Sequence, residues 1–253
     1  MEASKRYTST LYRSVNWRKT AGGRLYSRLI NARSPLGWLY QKTFHAPVYS
    51  DIDGQVLSYV RELRPGSLIL DVGGNEGSFD NPLIQKLLRQ HRYLRLDIDA
   101  ESSPDIIGDA RNIPLQDNSV DVVISKSVLE HIAEPEKSIS EMHRILKQGG
   151  FLYLYTPFFQ RIHASPNDYY RFTEQGLRYL LRAFEKADIY SNGGYVTSYA
   201  NVVYLGSYAL DAALGLGFLL RVLLWPLFYL LVRLDRFDRY RLNTIGYFGF
   251  ARK

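Results

Sequence analysis

The stretch Leu68-Ile69-Leu70-Asp71-Val72-Gly73-Gly74-Asn75-Glu76-Gly77 decides the fold. Its start is a short apolar run of the kind a strand buried on both faces requires, and it stops at glycines. Glycine there permits a tight turn and lets a ligand approach the main chain. Any strand-to-helix connection can use such a turn, so its neighbours must be read with it. About twenty positions on, at the usual spacing for a carboxylate that holds a ribose hydroxyl, Asp97 ends a second apolar segment, Tyr93 to Ile98. Asp99 is a weaker substitute for it.

The alternation continues. Asp105 to Ile107, Val120 to Ser125 and Phe151 to Tyr155 read as the third, fourth and fifth strands. Between the last two, residues 136–147 place Ile139, Met142 and Leu146 on one helical face, and Gly149-Gly150 is read as the helix stop. Strands alternating with helices imply an α/β fold with a doubly wound, Rossmann-like, mostly parallel sheet. Ligands of such sheets bind beyond the carboxyl ends of the strands.

A dinucleotide fingerprint wants G-x-G-x-x-G, so that a pyrophosphate fits against a helix N-terminus. Gly73-Gly74-Asn75-Glu76-Gly77 breaks that spacing, and Glu76 would set a carboxylate against the phosphates. A ligand carrying a sulfonium and an ammonium, such as S-adenosylmethionine (SAM), suits the carboxylate at the loop's start better.

Further blocks follow in order: Gly108-Asp109-Ala110-Arg111-Asn112-Ile113-Pro114-Leu115, Asn118 to Ser125, Val128-Leu129-Glu130-His131-Ile132 and Arg144-Ile145-Leu146-Lys147-Gln148-Gly149-Gly150. With the glycine loop they make residues 68–158 similar to class I SAM-dependent methyltransferases of the small-molecule type 11 group. Asn75 stands where that family often has its middle glycine. The resemblance implies the class I methyltransferase fold, SAM as cofactor, and an acid after strand three, Asp109, that contacts the adenine amino group. The cofactor-binding candidates are Asp71, Gly73, Gly74, Asn75, Gly77, Asp97, Asp109, Ala110 and Lys126. The chain has no cysteine, hence no thiolate ligand or nucleophile, and no metal site is expected.

Thr156-Pro157-Phe158-Phe159 is read as a strand end, since the similar motif of base amino-methyltransferases follows strand four and begins with Asn or Asp. After it, the block from His163 to Thr173 resembles an H-x-x-P-x-D-Y-x-R-F-T segment found in a subset of these methyltransferases. Thr173 is a fitting N-cap for a helix carrying Leu177, Leu180, Leu181 and Phe184. His131, His163, Asp168 and Tyr169 are the catalytic candidates, because an oxygen acceptor benefits from a base as its methyl arrives. A structural loop, with Asp168 and Arg171 paired and the aromatics packed, is the alternative.

Residues 1–50 hold nine Lys and Arg against one acid, Glu2, while the whole chain carries +7. The organisation read from this is a basic arm over 1–50 and a domain over 51–253. That domain includes an apolar helical insertion over 202–236, and Ile245 to Ala251 returns afterwards as the final strand. Ala212 to Leu220 and Val222 to Val232 flank Arg221, which would be costly in mid-membrane, so a span is disfavoured. Helices lying on an anionic membrane surface, with Trp225, Tyr229, Arg233 and Arg236 at the interface, are one reading; buried or homo-oligomer-interface helices are the other. No secretory signal is recognised. The expected activity is methyl transfer to a small-molecule or lipid-linked acceptor (a glycan, lipid or quinone) by a cytoplasmic protein peripheral to the membrane. The rivals are an RNA methyltransferase using the basic arm, and a non-catalytic membrane scaffold.

Overall fold

In β1 (Leu68–Val72) the four residues from Ile69 onward are all buried, as the unbroken apolar run requires. The computed structural model describes residues 56–74, 78–79, 82–163, 167–214, 223–224, 226–228 and 230–253. The basic arm, Asn75, Glu76, Gly77, Ala164 to Pro166, Arg221, Trp225 and Tyr229 lie outside them.

After β1 come α1 (Pro82–Leu88), β2 (Arg92–Asp97), β3 (Ile106–Ile107), β4 (Val120–Lys126), α2 (Pro135–Ile145), β5 (Leu146–Pro157) and α3 (Glu174–Leu180). Then follow β6 (Lys186–Asn192), α4 (Tyr195–Leu214) and β7 (Gly246–Arg252). Seven strands form one sheet in the order β3-β2-β1-β4-β5-β7-β6. The first five pair in parallel, and β7 runs antiparallel to both β5 and β6. The strand sequence reverses direction between β1 and β4, which is the switch point where doubly wound sheets hold ligands. The α/β, mostly parallel architecture is therefore the one the sequence implies.

Two expectations are corrected. Gly149-Gly150 does not stop the helix: α2 ends at Ile145, and β5 begins with Leu146, whose backbone is already extended. The helix's last carbonyls have other partners. Asn118 N–H donates to Arg144 O at 3.1 Å and Ser119 N–H to Ile145 O at 2.8 Å, so the approach to β4 caps the helix. The second correction is β6, which no apolar periodicity announced. Ile189 and Asn192 are its only fully buried residues, because it is the sheet's outer strand.

Arg144 ties the loop before β4 to α2. It grips both Glu141 oxygens at 2.8 Å, and donates to Ile113 O and Leu115 O, each at 2.9 Å, while Glu141 in turn accepts from Ile113 N–H at 2.9 Å.

The described residues divide into two compact units. One holds the sheet: Ile52–Asn192, with Gly246–Lys253. The other includes Gly193–Ile245. Inside the second, the buried carboxylate of Asp235 accepts N–H bonds from Gly194 (2.9 Å), Val196 (2.8 Å) and Thr197 (3.0 Å). It thereby satisfies the orphan donors at the start of α4 from a point far along the chain. No helix among the described residues is long and apolar enough to cross a membrane.

Replacing Arg144 with Met leaves Glu141 and two carbonyls short of partners; the expected loss is about 1–3 kcal/mol in urea unfolding, with the m-value unchanged.

Candidate functional site

The carboxyl ends of β1, β2, β3 and β4 lie along one edge of the sheet, and most of the cofactor candidates gather there. Gly73 turns the chain with φ +68°, its N–H bonded to Leu96 O at 2.7 Å. A Cβ at Gly73 would stand 2.5 Å from a Val128 methyl, and one at Gly74 would stand 2.6 Å from Asp71 Cγ. Neither site has room for a side chain, so bare backbone lines the turn.

Asp71 is fully buried. Its oxygens accept from Ser78 N–H (3.0 Å), Ser78 Oγ–H (2.6 Å) and the Tyr93 hydroxyl. Burial pushes the carboxyl's pKa up, and the Ser78 and Tyr93 bonds oppose it. Burial and the adjoining Asp71 push the Tyr93 hydroxyl up in turn, so it remains a donor. Lys126 donates to Ser78 O at 2.7 Å. Ser78 is thus clamped from both sides. Asp71 and Lys126, both cofactor-binding candidates, meet at Ser78.

Asp97 and Asp99 separate. Asp99 caps the short 3-10 turn Ala100–Ser102, accepting from Glu101 N–H at 2.9 Å. Asp97, half-buried at the end of β2, receives Asp99 N–H at 2.9 Å on its carboxylate, and its carbonyl takes Gly108 N–H at 2.9 Å. It stands next to Leu96, whose carbonyl accepts the Gly73 N–H. Asp109 is held by Arg111, at 2.6 Å, which keeps its carboxyl below the usual range; Ala110 beside it is buried.

A second cluster forms between the 3-10 turn Leu129–His131, after β4, and the loop before α3. Tyr169 N–H (2.7 Å) and Tyr170 N–H (3.3 Å) both donate to Glu130 O, and the Tyr170 hydroxyl donates to Ala133 O at 2.9 Å. These bonds fasten the loop to the turn. His131 and His163 consequently meet edge to face, ring centres 5.0 Å apart, over the fully buried Glu130. Glu130 Oε1 lies 3.4 Å from His163 Nε2 and 3.7 Å from His131 Nε2. Asp168, its side chain 1% exposed, is fixed by both guanidinium nitrogens of Arg171 and accepts from His163 N–H at 2.9 Å. Arg171 holds Asp168 down at about 2, so it is ionised at neutral pH. Glu130 and the buried Asp168 together hold His163 above its ordinary range, with burial opposing.

Three of the four catalytic candidates, His131, His163 and Asp168, come together. Tyr169 does not join them through its ring, which is half exposed; it contributes its N–H. Sequence reasoning missed Glu130, although it lay inside a quoted block. The capping expectation for Thr173 holds, its hydroxyl accepting from Gly176 N–H at 3.1 Å.

Removing the Tyr93 hydroxyl alone (Tyr93→Phe) leaves a buried carboxylate one donor short. Thermal unfolding should register a loss of about 1–3 kcal/mol, larger than for Tyr179→Phe on the surface.

Residues 70–154, which carry the glycine turn and the Glu130 turn, match the model of a family described as a methyltransferase domain. Among curated proteins the chain is 28% identical over 109 residues to an uncharacterized 37.1 kDa transposon protein of Streptomyces fradiae, covering 38% of this chain and 32% of that one. It is 29% identical to "Probable tRNA methyltransferase 9B" of Bos taurus, over 46% of this chain and 28% of the relative. It is also 33% identical to the demethylmenaquinone methyltransferase of Renibacterium salmoninarum, over 42% of this chain and 53% of the relative. The chain spans about a third of the length of the first two. Two solved structures share the fold. One is a SAM-dependent methyltransferase from Archaeoglobus fulgidus (TM-score 0.51, 13% identity, 85% of this chain, 99% of that). The other is Haemonchus contortus phosphoethanolamine N-methyltransferase 2 in complex with SAM (TM-score 0.51, 14% identity, 80% of this chain, 52% of that).

Proposed function

We propose that the whole chain transfers a methyl group from SAM to an oxygen of a small-molecule or lipid-linked acceptor, at a membrane surface. The observation that carries the cofactor half is the glycine turn. Side chains at Gly73 and Gly74 would strike Val128 and Asp71, so at these two positions only main chain is on offer to a ligand beyond β1. Gly73 and Gly74 would hold SAM by backbone contact, Asp97 would take its ribose hydroxyls, and Asp109 with Ala110 would flank the adenine. Asp71 and Lys126 act through the loop they close, and Asn75 and Gly77 belong to that loop by sequence. When bound, SAM supplies an electrophilic methyl on a sulfonium. The Glu130, His131 and His163 cluster would draw the proton from the acceptor's oxygen, and the loop pinned over it would keep water out.

The acceptor half rests on the second unit. Leu223, Leu227, Leu230, Leu234 and Phe237 are all exposed, and Arg233 and Arg236 share their segment. An apolar strip with arginines suits the boundary of an anionic bilayer, and the basic arm would add charge. The likeness to a demethylmenaquinone methyltransferase supports a lipid-soluble acceptor such as a quinone. The likeness to "Probable tRNA methyltransferase 9B", with the basic arm, supports the rival RNA reading, which the same experiments separate.

Calorimetry should show SAM binding, and Gly74→Ala should weaken it about tenfold or more, equivalent to about 1.4 kcal/mol. Lipid extracts of cells with the protein should contain a species heavier by one methyl, which Gly74→Ala removes; a methylated nucleoside instead would favour the RNA reading. Leu227→Asp combined with Leu230→Asp should abolish co-sedimentation with phosphatidylserine vesicles while leaving SAM affinity unchanged.

A further inference from the structure

Glu130 is fully buried, and among the described residues neither of its carboxylate oxygens accepts a hydrogen bond. A buried carboxylate without donors costs several kcal/mol, by the usual order of magnitude, unless a cation compensates it. The nitrogens nearest to it do not serve as ordinary donors. His131 Nδ1 faces Asn167 O, and His163 Nδ1 faces Arg161 O at 3.2 Å. A carbonyl can only accept, so in each neutral ring the proton sits on Nδ1 and the Nε2 lone pair points at Glu130. With both rings neutral, three acceptors therefore converge on one point.

We propose that Glu130, His131 and His163 form a binding site for one divalent first-row transition-metal ion. Two histidines and one carboxylate are a ligand set suited to zinc or ferrous iron, with the remaining positions open to water or an acceptor oxygen. The spacing agrees. The nitrogens stand 3.4 and 3.7 Å from Glu130 Oε1, long for hydrogen bonds, and all three ligand atoms lie within 4.8 Å of one another. Bonds of about 2.0–2.1 Å in tetrahedral array would separate ligand atoms by roughly 3.4 Å, so a small closure of the site suffices. The surroundings are those of a metal site as well. Each imidazole directs its second nitrogen to a backbone carbonyl, and for His163 also to the Asp168 carboxylate at 3.4 Å, the arrangement that fixes ring orientation around bound metals. No metal site is expected from the sequence, because the ligands come from two separated segments. The site stands whether or not the chain transfers methyl groups.

The test uses untagged, full-length protein freed of metal by chelation. Cobalt(II) should generate a visible absorption band saturating at one equivalent, and zinc(II) should displace it, whereas magnesium(II), a hard cation, should not. His163→Gln and Glu130→Gln should each lower zinc affinity at least about tenfold, with circular dichroism unchanged. His163 lies at the rim, a quarter exposed, so its variant retains the fold even if the buried Glu130 variant does not. Failure of the wild-type protein to take up one equivalent of cobalt or zinc would overturn the proposal. So would equal binding by His163→Gln, or displacement of cobalt by stoichiometric magnesium. SAM affinity, measured on the same metal-free sample, reports on the transferase reading separately.

Discussion

One buried carboxylate organises the ligand-facing edge of this protein. Asp71 sits at the end of β1 with no exposed surface, and an ion so placed must be hydrogen-bonded to be tolerated. Its partners fix the geometry around it: Tyr93 comes from β2, and Ser78 comes from the far side of the glycine loop. Lys126, from the end of β4, holds Ser78 from the other side. A single charge thus couples three adjacent strands to the turn between them. The tightness of Gly73 and Gly74 follows from the same arrangement, since the space their side chains would fill belongs to Val128 and Asp71.

The sheet was largely legible in the sequence, because its inner strands are buried on both faces and their apolar runs need no context. Leu68 to Val72 and Val120 to Ser125 are of this kind. The outer strand β6 was not legible: Lys186 and Tyr190 are exposed and the buried Ile189 and Asn192 lie three apart, so no period of two survives. The helix stop was misread for a related reason. Gly149-Gly150 looks like a local cap, while the carbonyls of Arg144 and Ile145 are in fact taken by residues that precede β4 in the chain. Periodicity reports what a residue buries, and says little about which distant donor meets it.

The sites divide in the same way. The positions of Gly73, Gly74 and Asp97 followed from spacing, since strand ends and turns are local. The contacts of Asp71 and Lys126 with Ser78 did not, because spacing along the chain says nothing of them. Glu130 was passed over inside a quoted block; its burial exists only once Tyr169 and Tyr170 pin the later loop onto its carbonyl. Asp168 presents both readings at once, paired with Arg171 as a structural loop would have it and touching His163 as a working site would. Here the structural and chemical roles are the same contacts.

The bonds from Asp235 to the first turn of α4 bear on how such a protein can change over evolutionary time. Asn192 and Gly246 are paired across β6 and β7, so the intervening segment leaves the sheet and re-enters it at facing positions. Asp235 and Asp238, near the segment's end, bind the N–H groups of Gly194 to Thr197 at its beginning. A segment whose two ends grip each other closes its own loop, and lengthening the middle adds little further entropy cost. Residues between those ends can therefore be gained, lost or exchanged among descendants without disturbing strand register, so this part of the chain can diverge while the glycine turn stays fixed.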